Sequence, residues 1–562
     1  MKYIKSFFNT NISFLVILFI AVFALYGKSI NFELTGLDDN ILITKNINLI
    51  SNYKNIPKLF ITSAFYDNTT AYYRPILSLS FATESFFVRD NLKVYHLTNI
   101  ILFVLSIYLF YLFCMELNLN SAVTKFILLL IAVHPMFSSV VVWIPGRNDS
   151  LLTVFFISSF IFFIKYINSQ KMKYAVCFCI FFIISLFTKE TFILLIPLYF
   201  VYLFLYDYKV SKKNLTFLFI SVIPFVLLFF ILRHISIASY GLGHYISQIN
   251  IVLINFIKYL FFFFYNFFVP EYVPMMLFNA NLSLQIIVYN CLFIGLFAFC
   301  LYKKIIPVKV FVFSMLLILL SLFPSFFQEE IVYLNHRFLI CSIGFIICLI
   351  YILNYLINKF NKTKKYLIAF FCLFFVSFFY LSCEQFNKYK NYETFWVNAY
   401  LDSPEYYLAN LHLSRICMNK GLFEEAEQYA QKAVELKQCY NTFINYIDFL
   451  MVTNELEKAK TMLLQVEKYV NKDSIFFKLS EIYYRKKDYE KALDYALKSY
   501  NIKDYDINYC QQLIKIYDET ENYNEELKIY ENLLKFDNKN KIYENKITEL
   551  KEKIRNKETN NA

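Results

Sequence analysis

The sequence predicts an all-α chain in two parts, a polytopic bundle of membrane-spanning helices over residues 1–383 and a C-terminal helical solenoid. Three observations carry this. Of 562 residues, 58% are hydrophobic and 20% aromatic, with 66 Phe and 47 Tyr against 8 Gly and 11 Pro, a balance too apolar for one soluble globule. Apolar runs long enough for a helix to cross ~30 Å of hydrocarbon recur along the first two thirds. Past residue 384 the composition turns abruptly to Lys, Glu, Tyr and Asn with helical periodicity and an internal repeat.

The runs lie near 11–29, 95–115, 122–143, 150–168, 172–188, 190–207, 214–233, 284–302, 307–324, 336–357 and 365–383, with 250–268 ambiguous. Treating 250–268 as a re-entrant or surface helix places the basic loops Lys165 to Lys173, Lys209 to Lys213, Lys303 to Lys309 and Lys359 to Lys365 together on the cytoplasmic side, where Lys and Arg on short loops belong. Counting it as a crossing sends Lys303, Lys304 and Lys309 outside. The reading is therefore eleven spans. The start, MKYIKSFF, has Lys2 and Lys5 and no small-residue cleavage site, so it reads as a retained first span with its N-terminus inside. Everything after residue 383 then lies on the outer face.

The net charge of +12 follows from these loops and gives no reason to expect nucleic acid. Nine of the 12 Cys, Cys114 to Cys383, sit in or beside apolar runs. With no C-x-x-C pair and no His at ligand spacing, neither a zinc site nor a disulfide framework is indicated.

In this topology four separated stretches bring polar groups to one membrane face: the first loop with Asp38 and Asp39, the turn from His134 to Asp149, the turn at Lys189, and Asn335 to Arg337. A site assembled at the water boundary of a bundle has this pattern. The adjacent acids Asp38 and Asp39 suit a proton acceptor or a hydroxyl partner, or are solvated loop residues that end a helix. The first outer loop, 30–94, is too long for a connector. Its apolar stretches IPKLFITSAF and ILSLSFATESFF suit short interfacial helices. Between them, in Ala71 to Pro75, Arg74 follows two Tyr, either as a phosphate anchor or as an Arg reaching lipid headgroups.

After a linker and first helix over 384–404, FEEA at Phe423, LEKA at Leu456, YEKA at Tyr489 and a weaker YNEE at Tyr523 recur at intervals of 33, 33 and 34 residues. This is close to the tetratricopeptide period, in which a small residue lets two antiparallel helices pack closely. The repeats are assigned to 405–538, with a capping helix that frays into a disordered tail over 539–562. Such an array binds an extended peptide or partner helix and carries no chemistry of its own.

Several strings in order, LDDNILITKN (Leu37 to Asn46), YYRPILSLSF (Tyr72 to Phe81), YHLTNIILF (Tyr95 to Phe103), HPMFSSVVVWIPGRNDSLL (His134 to Leu152), TKET (Thr188 to Thr191) and HRFLICSIGF (His336 to Phe345), followed by the repeats, give the chain a family likeness. It resembles the membrane proteins with tetratricopeptide repeats that are related to protein O-mannosyltransferases, within the GT-C class of glycosyltransferases. The resemblance implies a GT-C-like bundle that transfers mannose or another hexose, with inversion, from a polyprenyl-phosphate carrier to a hydroxyl of a protein acceptor. It implies that Asp39, with Asp38 beside it, supplies the base or orients the hydroxyl. Arg74, Arg147, Lys189 and Arg337 are set against the carrier phosphate, with Asp149 holding Arg147 in place. His96, Asn99 and His134 match family positions, although such residues just inside a span more often pack helices than catalyse.

Two positions depart from the family. Ser138 and Ser139 stand where an acid often follows the His-Pro pair, and His336 replaces the acid before Arg337, with Ile340 and Cys341 after it in place of a fuller Tyr-x-Pro. No cofactor is expected, the donor being the lipid-linked sugar; two acids in one loop could coordinate a divalent cation, but no third or fourth oxygen ligand is identifiable, so no metal is expected. The alternative is an inactive multi-pass scaffold whose repeats recruit envelope proteins. A lipid or polymer carrier is a weaker third reading, since paired inverted repeats with broken spans are missing. The Lys, Asn, Ile and Tyr bias points to a bacterial plasma membrane.

Overall fold

A computed structural model of the chain describes residues 11–66, 72–206, 212–237, 249–270, 277–278, 283–327, 332–333, 335–360, 364–466, 471–503, 506–536 and 541–561. Lys2, Lys5, Ala71 and Lys209, on which parts of the topology and loop readings rest, lie outside these residues. Two compact units result, Met1–Asp402 and Ser403–Ala562.

The first unit is built from α1 (Asn11–Tyr26), α2 (Pro75–Val88), α3 (Leu92–Glu116), α4 (Ser121–Ala132), α5 (Arg147–Ser169), α6 (Met172–Thr188) and α7 (Lys212–Ser236). It continues with α8 (Ile249–Phe268), α9 (Leu284–Tyr302), α10 (Val308–Phe326), α11 (Phe338–Lys359), α12 (Lys364–Asn387) and α13 (Tyr392–Asp402). Among the described residues, strand structure is limited to a short antiparallel pair, Leu277–Phe278 with Val332–Tyr333. Among the described residues, eight helices are long and apolar enough to cross a membrane, those containing α1, α3, α5, α7, α9, α10, α11 and α12, or nine if one bent pair counts as a span.

That bent pair is the run expected near 122–143, which turns by 61° between Ala132 and Pro135. Pro135 cannot donate to the preceding turn, and the His134 ring takes over as cap, its Nδ1 accepting from the Met136 amide at 3.2 Å. The runs at 172–188 and 190–207 become two shorter apolar helices, α6 and Thr191–Leu205. They meet at a break that holds Lys189 and Glu190. Helix α8 contributes a shorter apolar stretch, Val252–Phe268.

Helix α5 is the centre of the unit, with 83% of its most apolar window buried, against 17% to 61% in the other seven long helices. Its start is fixed by a close approach. A Cβ on Gly146 would lie 2.6 Å from the Ser139 carbonyl oxygen, so only glycine lets the turn Ile144–Gly146 rest on the helix Ser138–Val142. The first loop is tied down in the same region. Leu42, Ile43 and Leu59 cluster with Leu77 and Phe81 of α2, Tyr95 of α3 and Leu151 of α5, each buried side chain contributing about 1.5–3 kcal/mol of transfer free energy.

The stretch expected as a linker, 384–404, is mostly part of the first unit. Helix α12 runs on to Asn387, and α13 buries Phe395, Trp396 and Ala399. The change in composition marks the end of the long apolar run but not the end of the packed unit, because these three apolar residues share one helix face.

The second unit is a series of helix hairpins of the tetratricopeptide kind: α14 (Tyr407–Asn419) with α15 (Phe423–Leu436), α16 (Tyr440–Val452) with α17 (Leu456–Gln465), α18 (Lys472–Arg485) with α19 (Tyr489–Ile502), and α20 (Ile507–Glu519) with α21 (Tyr523–Phe536). Ala426, Ala459 and Ala492, the small residues of the motif, are fully buried, which is what close helix packing needs. The fourth repeat puts Glu526 at this position, 5% exposed. The tail expected to fray is helical through Asn561 as α22 (Lys541–Asn561). Its Leu550 is buried and Tyr543 packs on Tyr530 of α21, contacts that a tally of its polar residues does not register.

Candidate active site

A cavity of about 600 Å³ opens in the first unit where the first loop, the start of α5, the break after α6 and the start of α11 converge. Asp38, Arg74, Asp149, Lys189, His336 and Arg337 line it. Five of the seven residues expected to carry catalysis or bind the carrier phosphate are therefore brought together.

The two adjacent acids have different jobs. Asp39 is 1% exposed, and its Oδ2 accepts from the Thr35 amide at 2.6 Å and the Thr35 hydroxyl at 2.8 Å. Its Oδ1 accepts from the amides of Gly36 and Asn40, both at 2.9 Å. Burial pushes this carboxyl up, and the hydrogen bonds from Thr35, Asn40 and Gly36 pull against it. Every acceptor direction is spent on closing the turn, so Asp39 is the loop's clasp and the expectation that it leads the chemistry is corrected. Asp38 faces the cavity instead. Its carboxyl is pushed up to about 6 by burial and by the neighbouring Asp39 charge, with Arg74 and Arg337 drawing it back down. A carboxyl raised this far by burial can take a proton from a hydroxyl brought into the cavity.

The cations are held by partners of their own. Arg74 Nε donates to Glu190 Oε2 at 3.2 Å, Glu190 also accepts from the Tyr73 amide, and the Arg74 guanidinium lies 4.3 Å over the Tyr72 ring. In the orientation that satisfies both ends of its amide, Asn148 accepts from Arg74 Nη1 at 3.0 Å and donates to the Thr188 carbonyl at 3.2 Å. Lys189 Nζ donates to Asp149 Oδ1 at 2.7 Å, and His336 Nε2 lies 4.0 Å from Asp149 Oδ2 with its ring packed 5.0 Å from Trp143. Arg337 Nη1 reaches the hydroxyls of Tyr259 and Ser325, each at 3.5 Å. Asp149 thus serves Lys189 and the cavity, which corrects its expected role as a support for Arg147.

Arg147 does not line the cavity. It is fully buried, ion-paired to Glu84 at 2.7 Å, and donates to Asn99 Oδ1 and the Tyr95 carbonyl, both at 2.8 Å. Arg147 is a staple joining α2, α3 and α5, and its assignment to the carrier phosphate is withdrawn. A guanidinium with this many internal partners has its donors committed to the fold. Asn99 belongs to the same staple, donating to the carbonyls of Trp143 and Ile144. His134 caps a turn and meets the Phe267 carbonyl at 3.0 Å. His96 is buried edge-on against Phe32. None of the three lines the cavity.

Glu190, Arg233 and Asn148 also line the cavity and were not singled out in the sequence. The signal for Glu190 was its place beside Lys189, between two apolar runs. Arg233 closes the apolar run of α7, and Asn148 sits between the two charged residues of the GRND string. Among the described residues no group of three or more His, Cys, Asp or Glu is arranged to hold a metal ion.

No protein-family model matches the chain, and no curated protein matches it. Among solved structures, the crystal structure of YrrB, described as a TPR protein with an unusual peptide-binding site, is similar at 14% identity and a TM-score of 0.22, over 29% of this chain and 84% of its own.

Proposed function

We propose that the chain is a membrane glycosyltransferase that moves a sugar, mannose or another hexose, from a polyprenyl-phosphate carrier to a hydroxyl of a protein acceptor. The observation that carries this reading is the cavity itself, in which Asp38 shares one wall system with Arg74, Lys189, Arg233 and Arg337. Apolar residues such as Phe65, Leu194, Phe323 and Phe327 complete the lining, as an amphiphilic donor with a charged phosphate requires. Asp38 takes the proton of the acceptor hydroxyl as its oxygen attacks the anomeric carbon. The bond from that carbon to the phosphate oxygen breaks on the opposite face, giving inversion. Arg74, Lys189 and Arg337 stabilise the charge that grows on the departing carrier phosphate. The repeats hold the acceptor or a partner as an extended peptide. Eleven crossings, counting the bent pair and the two shorter helices after α5, set the repeats outside the bacterial plasma membrane, the topology in which the cavity meets lipid-linked donors on that face.

A second reading, a catalytically inactive scaffold, draws on the pairing of Arg74 with Glu190 and Lys189 with Asp149, which leaves less cationic charge for a phosphate. The deciding experiment reconstitutes the full chain in proteoliposomes with a radiolabelled polyprenyl-phosphate hexose and a Ser/Thr-rich peptide. Label transferred by the native chain and lost with Asp38→Asn supports the transferase; no transfer with mannosyl or glucosyl donors, and no difference in envelope-protein glycans between cells with and without the chain, supports the scaffold. Cysteine probes in the repeats that label from outside intact cells support the topology, and labelling only after lysis overturns it.

A further inference from the structure

The loop that presents Asp38 is held from the far end of the unit. Trp396 of α13 is fully buried, and its indole Nε1 donates to the Thr35 carbonyl at 3.0 Å across 361 residues of sequence. Thr35 is the residue whose amide and hydroxyl grip Asp39. One residue on, Gly36 has φ +74°, and a Cβ there would lie 2.5 Å from the Tyr392 ring. The Glu33 amide donates to the Lys390 carbonyl at 3.0 Å, so three successive parts of segment 390–396 touch residues 33–36. On the other side of the turn the Asp38 carbonyl accepts from the amides of Ile41 and Leu42. Asp38 therefore sits between a backbone fixed to the short helices of the first loop and a clasp fixed to α13.

We propose that Trp396 and Tyr392 are positioning residues for Asp38, so that the segment leading out of the last long helix is part of the apparatus that aims the base into the cavity. The proposal rests on the transferase reading for its catalytic meaning and on the loop geometry for its structural content. Trp396 acts through Thr35 and Asp39, Tyr392 through its ring, which fills the space over Gly36 where a Cβ would stand, and neither lines the cavity. Removing the indole N–H costs one buried hydrogen bond, enough to let a turn of this size shift. A shift of about 1 Å at a reacting group lowers turnover far more than it lowers binding.

The test uses the full chain with Asp38→Cys as a probe, with and without Trp396→Phe, which keeps a ring in place and deletes the N–H. Iodoacetamide alkylation at position 38 is read by peptide mass spectrometry. The expected result is a change of about threefold or more in alkylation rate, with the thermal midpoint lowered only slightly. In the native background, Trp396→Phe is expected to lower kcat about tenfold while the KM for the lipid-linked donor stays within about twofold. Equal alkylation rates in the two backgrounds overturn the proposal, as does a rise in donor KM at unchanged kcat. If the native chain transfers no sugar, the transferase reading fails by itself and the alkylation rates still decide whether Trp396 positions residue 38.

Discussion

Lys189 Nζ and Asp149 Oδ1 stand 2.7 Å apart with side chains only 13% and 4% exposed, joining the break after α6 to the first turn of α5 inside the cavity wall. Removing one partner leaves the other charge buried without compensation. Lys189→Met is expected to destabilise the first unit by about 3–5 kcal/mol, and Lys189→Met with Asp149→Leu to recover most of that loss while remaining inactive. Thermal unfolding of the detergent-solubilised variants checks this; a single variant as stable as the native chain would show that the pair bears no structural load.

The two neighbouring acids are expected to respond oppositely. Asp38→Asn abolishes transfer and raises the thermal midpoint at neutral pH, since a carboxylate no longer has to ionise in place, whereas Asp39→Asn, which disturbs a clasp of four hydrogen bonds, destabilises the loop by about 1–3 kcal/mol. A pH profile adds an independent reading. The base works only when deprotonated, so turnover rises as pH passes through about 6 and levels off above it. Because the folded-state value lies above the ordinary 3.8, the stability linked to Asp38 is full below that value and is lost as pH rises to about 6. A rate that is flat from pH 5 to 8 would remove Asp38 from the role of base.

Arg147 and Arg337 are both cations at turns beside long apolar runs in the sequence, and they are expected to separate on mutation. Arg147→Met strands Glu84 and costs about 3–5 kcal/mol of stability, with the donor KM of the surviving protein unchanged. Arg337→Ala leaves the midpoint within about 1 kcal/mol and weakens donor binding or turnover at least about tenfold, the usual scale for one charge-assisted contact. Donor kinetics set beside unfolding curves distinguish the two outcomes.

In the repeats, Glu526 sits where Ala426, Ala459 and Ala492 sit in the other hairpins, and its Oε2 is buried without a hydrogen-bond partner. Burial pushes its carboxyl up to about 7, the Asp518 charge adds to this, and Lys553 and Lys546 oppose it. The stability it contributes is therefore full below pH 4.5 and is lost as pH rises through about 7. Hydrogen exchange of α21 and α22 in the full chain is expected to quicken over that window. Glu526→Ala is expected to remove the pH dependence and to stabilise the last hairpin by about 1–3 kcal/mol. Exchange that is independent of pH in the native chain, after correction for intrinsic rates, would contradict the buried carboxylate.

Much of the fold was legible because its signals are local. Continuous apolar runs gave the long helices, and the spacing of Phe423, Leu456, Tyr489 and Tyr523 gave the hairpins. The bend at Pro135 was less legible, since the run through it stays apolar on both sides. In the site, the residue types and the stretches they come from could be read, but the division of labour could not. Arg147 and Asp149 look like neighbours that pair, yet on a helix they point about 200° apart, and each pairs with a different element: Glu84 for one, Lys189 for the other.

The amino-acid order alone shows that the chain is mainly helical, that residues 1–383 carry runs suited to an apolar surrounding, that its end is a repeat, and that acids and cations gather at a few turns. Hydrophobic length and period are properties of a short window and need no knowledge of what lies across the core. Packing between distant elements settles that Asp38 faces the cavity while Asp39 closes the turn, that Arg147 is a staple, and that Trp396 reaches back to Thr35. Those outcomes depend on which groups meet after folding, and the cost of burying a charge or an N–H is settled by partners that can lie hundreds of residues away.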